Sequence, residues 1–277
     1  LLTVFVFGFI KFYTEFPSIS SGALGTVLTV SSILFGFLAG FFINELWSRY
    51  TEIRSIQGAR LSDSLNMINY AEKFYKNSKF KDDFKRKIEA AAFVDEIINW
   101  NEGHLETSYW QDIGNSFNFI KNSEVKMNKS KIYFDDMLEM HNRTVSAMIR
   151  LDVLYKERLF FAEWMLLFTL SLILAFSVLF IDAENLFFQM VVLIFPAIIS
   201  LSLFIIYYLD RLTWSRESVT LEPNQRLFDA IGKRRFYLKR NIKYLKQSIK
   251  DYRTEDELSK ELKKIYSDIL NKRKSQS

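Results

Sequence analysis

Residues 33–54 read ILFGFLAGFFINELWSRYTEIR, an apolar segment with two glycines that passes without a break into a charged and aromatic segment. Ile33, Phe37 and Phe41 recur every four residues, so they share one face of an α-helix. A helix of this kind suits the wall of a gated pore. It also suits a plain membrane anchor with a polar extension, and at this point both functions stay open.

The composition argues against an enzyme. Because the 277-residue chain contains no cysteine, disulfides, thiolate metal ligands and thiol nucleophiles are excluded. The two histidines, His104 and His141, are too few for a histidine-rich metal site within one subunit. We find no P-loop, GxGxxG, HExxH or Ser/His/Asp arrangement. The sequence therefore predicts no catalytic site, no metal and no cofactor.

Long apolar segments predict a polytopic membrane protein. Gly22–Ile43 is about as long as a bilayer core when helical, roughly 33 Å. Trp164–Ile181 and Leu186–Leu209 have spanning length too, and the short turn between them predicts an antiparallel hairpin. Leu1–Ile10 is too short to span, and we interpret it as the outer half of a first span, with a secretory signal peptide as the alternative. The sequence thus predicts four transmembrane helices.

The distribution of basic residues predicts the orientation. Loops 12–21 and 182–185 contain no Lys or Arg, whereas Arg49, Arg150 and Arg211 flank the other ends of the spans. The positive-inside rule therefore predicts that both termini lie in the cytoplasm. We expect a multi-pass protein of the cell (inner or plasma) membrane. We divide the chain into 1–46 (first and second spans), 47–163 (cytoplasmic helical region), 164–209 (third and fourth spans) and 210–277 (basic cytoplasmic tail).

The polar regions have a helical pattern, so the predicted fold class is all-α. We expect the helix that begins near Lys131 to run straight into the third span. In the tail, Pro223 can open a helix. An amphipathic stretch follows from Leu227 to Ile249, and its many basic residues suit a solvated face near anionic lipid headgroups. No recognition fold accompanies this charge, so we expect no nucleic-acid partner.

Small residues line one side of the second span. They are Gly25, Thr29, Ser32, Gly36 and Gly40. Their spacing allows close helix packing within the membrane, which is the ordinary interpretation. In a ring of identical helices, the same stripe could form the contacts between copies and turn Ile33, Phe37 and Phe41 toward the axis. Stacked apolar rings can gate a pore by dewetting. We expect Phe35 and Phe42 to face lipid.

The segment after this span carries a motif. It reads Asn44-x-x-Trp47-x-Arg49-Tyr50-x-Glu52-x-Arg54. It resembles the Asn-x-x-Tyr-x-Arg-Trp/Phe-x-Glu-x-Arg segment that follows the second span of prokaryotic bestrophins. Trp47 stands in place of the usual Tyr, and the calcium-binding acidic run of animal bestrophins has no counterpart. The resemblance covers a short part of the chain, and the four-span topology with its long cytoplasmic insert extends it.

The resemblance implies a bestrophin-like ion channel in the lipid bilayer, assembled as a homo-oligomer, a pentamer by analogy, that conducts small ions. It places Ile33, Phe37 and Phe41 in the pore neck. It places Asn44, Glu45, Trp47, Arg49, Tyr50, Glu52 and Arg54 at the inner mouth. Helical ion pairs and an interfacial aromatic belt are the alternative roles for these mouth residues. The sign of the ion stays open.

A membrane-anchored scaffold or sensor is the alternative function, with cytoplasmic helices that recruit a partner. It predicts a monomer or dimer in which the small-residue stripe is buried between helices of one chain.

Overall fold

The computed structural model describes residues 21–74, 78–97, 107–120, 128–180, 186–212, 221–237 and 252–276. The described residues are mainly α-helical. The α-helices are α1 (Ser21–Phe74), α2 (Ser78–Ile97), α3 (Ser108–Asp112), α4 (Asn128–Lys156), α5 (Phe161–Leu179), α6 (Leu186–Asp210), α7 (Leu221–Ala230) and α8 (Lys260–Gln276). Two 3₁₀ helices (Ile113–Phe119 and Glu255–Glu257) and two short strands, β1 (Arg235–Phe236) and β2 (Tyr252–Arg253), complete the described elements.

The chain divides into two compact units. The apolar unit comprises Leu1–Tyr50 and Arg158–Trp214, and the polar unit comprises Thr51–Glu157 and Ser215–Ser277. Among the described residues, two helices are long and apolar enough to cross a membrane, α1 from Gly22 and Phe161–Val178 of α5. Helix α6 contains a shorter apolar segment. The predicted first span and the predicted hairpin turn lie outside the described residues.

Helices α1, α5 and α6 share the core of the apolar unit. Helix α1 contributes Phe35, Ala39, Phe42 and Leu46, which follow steps of four, three and four residues and therefore lie on one face. The other two helices contribute Leu167, Leu170, Leu174, Ile199, Ile206 and Leu209. All of these side chains are apolar, so close van der Waals packing stabilises this core.

The expectation that Phe35 and Phe42 face lipid is wrong. Their exposed fractions are 6% and 4%, and both pack in the core of the apolar unit. The hydrophobic period identifies the buried face of an amphipathic helix, because the other face is polar. This part of α1 is apolar on all sides, so the period does not identify its buried face. The chemistry of the residues therefore did not distinguish the packed face from the open one.

The helix that was expected to run straight into the third span instead ends at Lys156, and a new helix begins at Phe161. The backbone between these two helices donates hydrogen bonds to two carboxylates. The Leu159 amide donates to Asp210 Oδ1 at 2.8 Å, and the Phe160 amide donates to Glu163 Oε2 at 2.7 Å. Since Glu163 lies in the first turn of α5, it also satisfies an otherwise unpaired donor of the helix N-terminus.

The core of the polar unit surrounds helix α2. Every residue from 88 to 97 is buried, so this end of the helix is covered on all sides. Phe80 and Phe84 stack near Phe117 of the 3₁₀ helix, with ring centroids 6.1 and 6.2 Å from it. Phe93 meets Phe236 of β1 at 4.8 Å. Aromatic contacts of this kind dominate core energetics in small domains.

The described part of the amphipathic stretch, residues 227–237, contains a helix end and a short strand. Helix α7 ends at Ala230, where the amides of Gly232 and Lys233 donate to the carbonyls of Asp229 and Phe228 at 3.0 and 2.8 Å. These two bonds form a Schellman motif, and its left-handed position is Gly232 with φ of 73°. Strand β1 follows directly and pairs in parallel with β2.

The side chain of Gln225 binds the backbone of β1 in both directions. Its Nε2 donates to the Phe236 carbonyl at 2.7 Å, and its Oε1 accepts from the Phe236 amide at 2.9 Å. The backbone amide of Tyr237 donates to the Arg253 carbonyl on β2 at 3.1 Å. Helix α7 and the short sheet are therefore tied together by hydrogen bonds to the main chain.

We predict that Gly114→Ala destabilises the protein by about 1–3 kcal/mol, because a Cβ at Gly114 would lie 2.9 Å from Nε2 of the buried His141 ring. Thermal unfolding of the polar unit measures this loss. Gly58→Ala is the matched control, since a Cβ at Gly58 meets no atom within 4 Å in the described structure. Equal midpoints for the two variants would contradict the predicted clash.

Candidate functional site

The three predicted neck residues lie on an open face of α1. Ile33, Phe37 and Phe41 are 66%, 72% and 55% exposed. At 100° per residue, this face lies opposite the packed face that carries Phe42 and Leu46. The structure therefore brings the three side chains together in one exposed apolar row, and α5 and α6 pack on the other side of the helix.

The small-residue stripe lies beside this row and is also open. A Cβ built at Gly25, Gly36 or Gly40 meets no atom within 4 Å in the part of the chain that the structure describes. Thr29 is exposed and Ser32 is half-buried. The stripe does not serve as a contact between the described helices of one chain.

The motif residues separate into two groups. Asn44, Glu45, Trp47 and Arg54 are exposed, whereas Arg49 and Tyr50 are buried. The ring of Trp47 lies 5.4 Å from that of Tyr50.

Glu52, within the polar unit, is half-buried and forms an ion pair with Arg150 at 2.9 Å. The motif therefore combines exposed polar groups with side chains that hold neighbouring elements in place.

Arg49 is tied to the end of helix α6. Its Nη2 donates to the Asp210 carbonyl at 2.7 Å, and its Nη1 lies 4.0 Å from Asp210 Oδ1. Arg158 donates to the same carbonyl at 2.6 Å. Burial lowers the pKa of Arg158, and the Asp210 carboxylate opposes that shift by favouring the charged form.

Two guanidinium groups thus meet the C-terminal end of one helix, where the last carbonyls lack partners and the helix dipole is negative. The Asp210 side chain also accepts a hydrogen bond from the Leu159 amide, which lies just before α5. One carboxylate and two arginines therefore fix α1, α5 and α6 at one end of the apolar unit. Sequence analysis missed this cluster, although a lone Asp that ends a long apolar segment is a signal for it.

Within the described ranges, no group of three or more His, Asp or Glu side chains is placed to hold a metal ion.

The chain is similar in structure to a bacterial bestrophin homolog from Klebsiella pneumoniae. The TM-score is 0.62 at 11% sequence identity, with 84% of this chain and 94% of that chain covered. Two crystal structures of variants of a membrane protein give TM-scores of 0.65 and 0.60, also at 11% identity, and the match covers 84% of this chain and 97% and 96% of theirs. The sequence matches no family model and no curated protein.

These comparisons show the fold of the chain, which is an α-helical fold shared with structures of bacterial membrane proteins. The particular fold is that of the bacterial bestrophins, which confirms at the level of fold the resemblance that the Asn44–Arg54 motif indicated.

We predict that Arg49→Met destabilises the apolar unit by about 1.5–3 kcal/mol, because it removes a charge-assisted hydrogen bond to a buried helix end. The midpoint of thermal unfolding in detergent measures the effect. Arg54→Met is the control on the same helix, since Arg54 is exposed. If both variants unfold at the same temperature, Arg49 does not fix the end of α6.

Proposed function

We propose that this protein is a bestrophin-like ion channel of the cell inner membrane, in which the open face of α1 lines the pore. The observation that carries this proposal is the exposed row Ile33, Phe37 and Phe41 on the side of α1 that does not pack in its own chain. An apolar constriction of stacked rings controls ion passage by dewetting. In this proposal the row forms the neck.

A ring of identical chains is part of the proposal, because the described residues of one chain offer one helix in which such an open apolar row lies beside open glycines. The open glycines Gly25, Gly36 and Gly40 support it, since small residues allow the close approach of a helix from another copy. The resemblance to bestrophins suggests five copies. The same proposal includes four spans in the bilayer with both termini in the cytoplasm.

The exposed motif residues Asn44, Glu45 and Arg54 are the proposed lining of the inner mouth, where small ions would enter or leave. Glu45 would favour cations and Arg54 would favour anions. Arg49 has a structural role in this proposal, different from the ion pairs within one helix that the sequence offered, because it is buried and pairs with Asp210 at the end of α6.

The scaffold alternative receives no support from the stripe. It predicts small residues buried between helices of one chain, whereas a Cβ built at Gly36 or Gly40 meets no atom within 4 Å in the described structure.

We predict that replacing Phe37 and Phe41 by Ala increases ion flux into liposomes, because shorter side chains widen the constriction and weaken dewetting. A severalfold increase in the rate at which an imposed ion gradient decays is expected in a fluorescence flux assay.

Phe176→Ala is the matched control, since Phe176 is also an exposed phenylalanine of the apolar unit, 58% exposed, but lies on α5. Unchanged flux in the Phe37/Phe41 variant, with the protein intact, would overturn the neck assignment.

We predict that the protein extracted in mild detergent is a ring oligomer, with five copies as the expected number. Native mass spectrometry counts the subunits. Substitution of Gly36 and Gly40 by Leu should lower the subunit number, because the larger side chains keep neighbouring helices apart. A wild-type protein that is monomeric in both detergent and lipid nanodiscs contradicts the channel proposal.

A further inference from the structure

Helix α2 places three carboxyl groups in the interior of the polar unit. Glu89, Asp95 and Glu96 are 8%, 0% and 7% exposed. A buried carboxylate is costly unless a cation or several hydrogen bonds compensate for the lost water. The partners of the three groups therefore decide which of them can carry a charge.

Glu89 and Asp95 each have cationic partners. Glu89 lies 2.5 Å from Arg253 Nη1 and 3.7 Å from Lys233 Nζ. Asp95 forms an ion pair with the fully buried Arg60 and accepts from Trp110 Nε1 at 3.1 Å. Both carboxyl groups therefore have a cation within ion-pair distance.

Arg60 is already engaged in several directions. Besides Asp95, its Nη2 donates to Asn224 Oδ1 at 2.9 Å, and its guanidinium carbon lies 4.8 Å from the centre of the Trp110 ring. One guanidinium group thus stands beside two adjacent carboxyl groups, Asp95 and Glu96, and its ion pair is with the first.

Glu96 has no cation of its own in the described structure. The charged groups that act on it are Asp95 on the same helix, which repels its negative form, and Arg60 on α1, which attracts it. From α7 it meets the amide side chains of Asn224 and Gln225. Its Oε1 has no hydrogen-bond partner among the described residues.

Burial raises the pKa of Glu96 well above its ordinary value, and Asp95 adds to that shift, while the amides of Asn224 and Gln225 and the Arg60 charge oppose it. The geometry leads to the same result, because two adjacent buried carboxyl groups share one guanidinium. Burial raises the pKa of Asp95 as well, but Arg60 and Trp110 oppose that shift by bonding its carboxylate, so Glu96 is the carboxyl group of the two that holds a proton more readily.

We propose that helix α7 latches onto helix α2 by covering Glu96 in its protonated form, so that acidification tightens this contact and alkalinisation loosens it, because an ionised carboxyl group buried there favours exposure to water. The latch reaches beyond α7, because Gln225 also holds the Phe236 backbone of β1 through two hydrogen bonds. Segment 221–237 is therefore the part of the chain whose attachment depends on this proton.

The sign of the pH dependence follows from proton binding. A carboxyl group that is protonated in the latched state and ionised when exposed binds more protons when latched. The stabilisation is complete below the ordinary pKa of a glutamate, and it is lost as the pH rises through the raised pKa of Glu96. Above that value the stability levels off.

Hydrogen–deuterium exchange of the full-length protein in lipid nanodiscs tests the proposal. The protection factors of the Phe236 and Tyr237 amides should fall by about tenfold for each pH unit within this window, because each opening releases one proton. In Glu96→Gln, which keeps the shape and cannot ionise, the protection factors should be independent of pH. Glu139→Gln on the exposed face of α4 should behave as the wild type.

Infrared spectroscopy provides a second measurement. At pH values below the raised pKa of Glu96, the wild type and Glu139→Gln should show the C=O stretch of a buried protonated carboxyl group, and Glu96→Gln should lack it. A pH-dependent loss of protection that persists in Glu96→Gln overturns the proposal. So does a wild-type spectrum without that band.

Discussion

Helix α1 buries one face within its own chain and leaves the opposite apolar face uncovered. The packed face carries Phe35 and Phe42, and the open face carries Phe37 and Phe41. In water, such an exposed apolar row would favour aggregation. In a bilayer, the free energy of leaving it exposed depends on which groups contact it. The exposed row can contact lipid, another copy of the helix, or a narrow column of ions and water. The glycine stripe beside the row is the feature that favours another copy of the helix next to it.

The packing that leaves this face free depends on a polar cluster at one end of the apolar unit. Asp210, Arg49 and Arg158 satisfy one another where helix ends would otherwise expose unpaired carbonyls to a medium of low dielectric constant. Charged groups therefore stabilise one end of this unit, and van der Waals contacts stabilise its interior.

The spacing of apolar residues in the sequence predicted the helices well, but it predicted poorly which side chains of different helices contact one another. The step of four residues correctly grouped Ile33, Phe37 and Phe41, because a face follows from helix geometry alone. It could not assign Phe35 and Phe42 to the core, since all these rings have the same chemistry. Arg49 and Asp210 are far apart in the sequence, and so is Arg60 from Asp95 and Asn224. Pairs of this kind depend on tertiary packing, which no single-sequence period encodes.

The double hydrogen bond between Gln225 and Phe236 also affects association between molecules. A strand edge with free amide and carbonyl groups is a template on which another chain can add a strand. Strand β2 covers one side of β1, and the Gln225 side chain presents a donor and an acceptor to the other side, as a neighbouring strand would. The two-stranded sheet that the structure describes is thus closed at Phe236 by a glutamine side chain, and the Phe236 amide and carbonyl are not free to pair with a strand of another molecule.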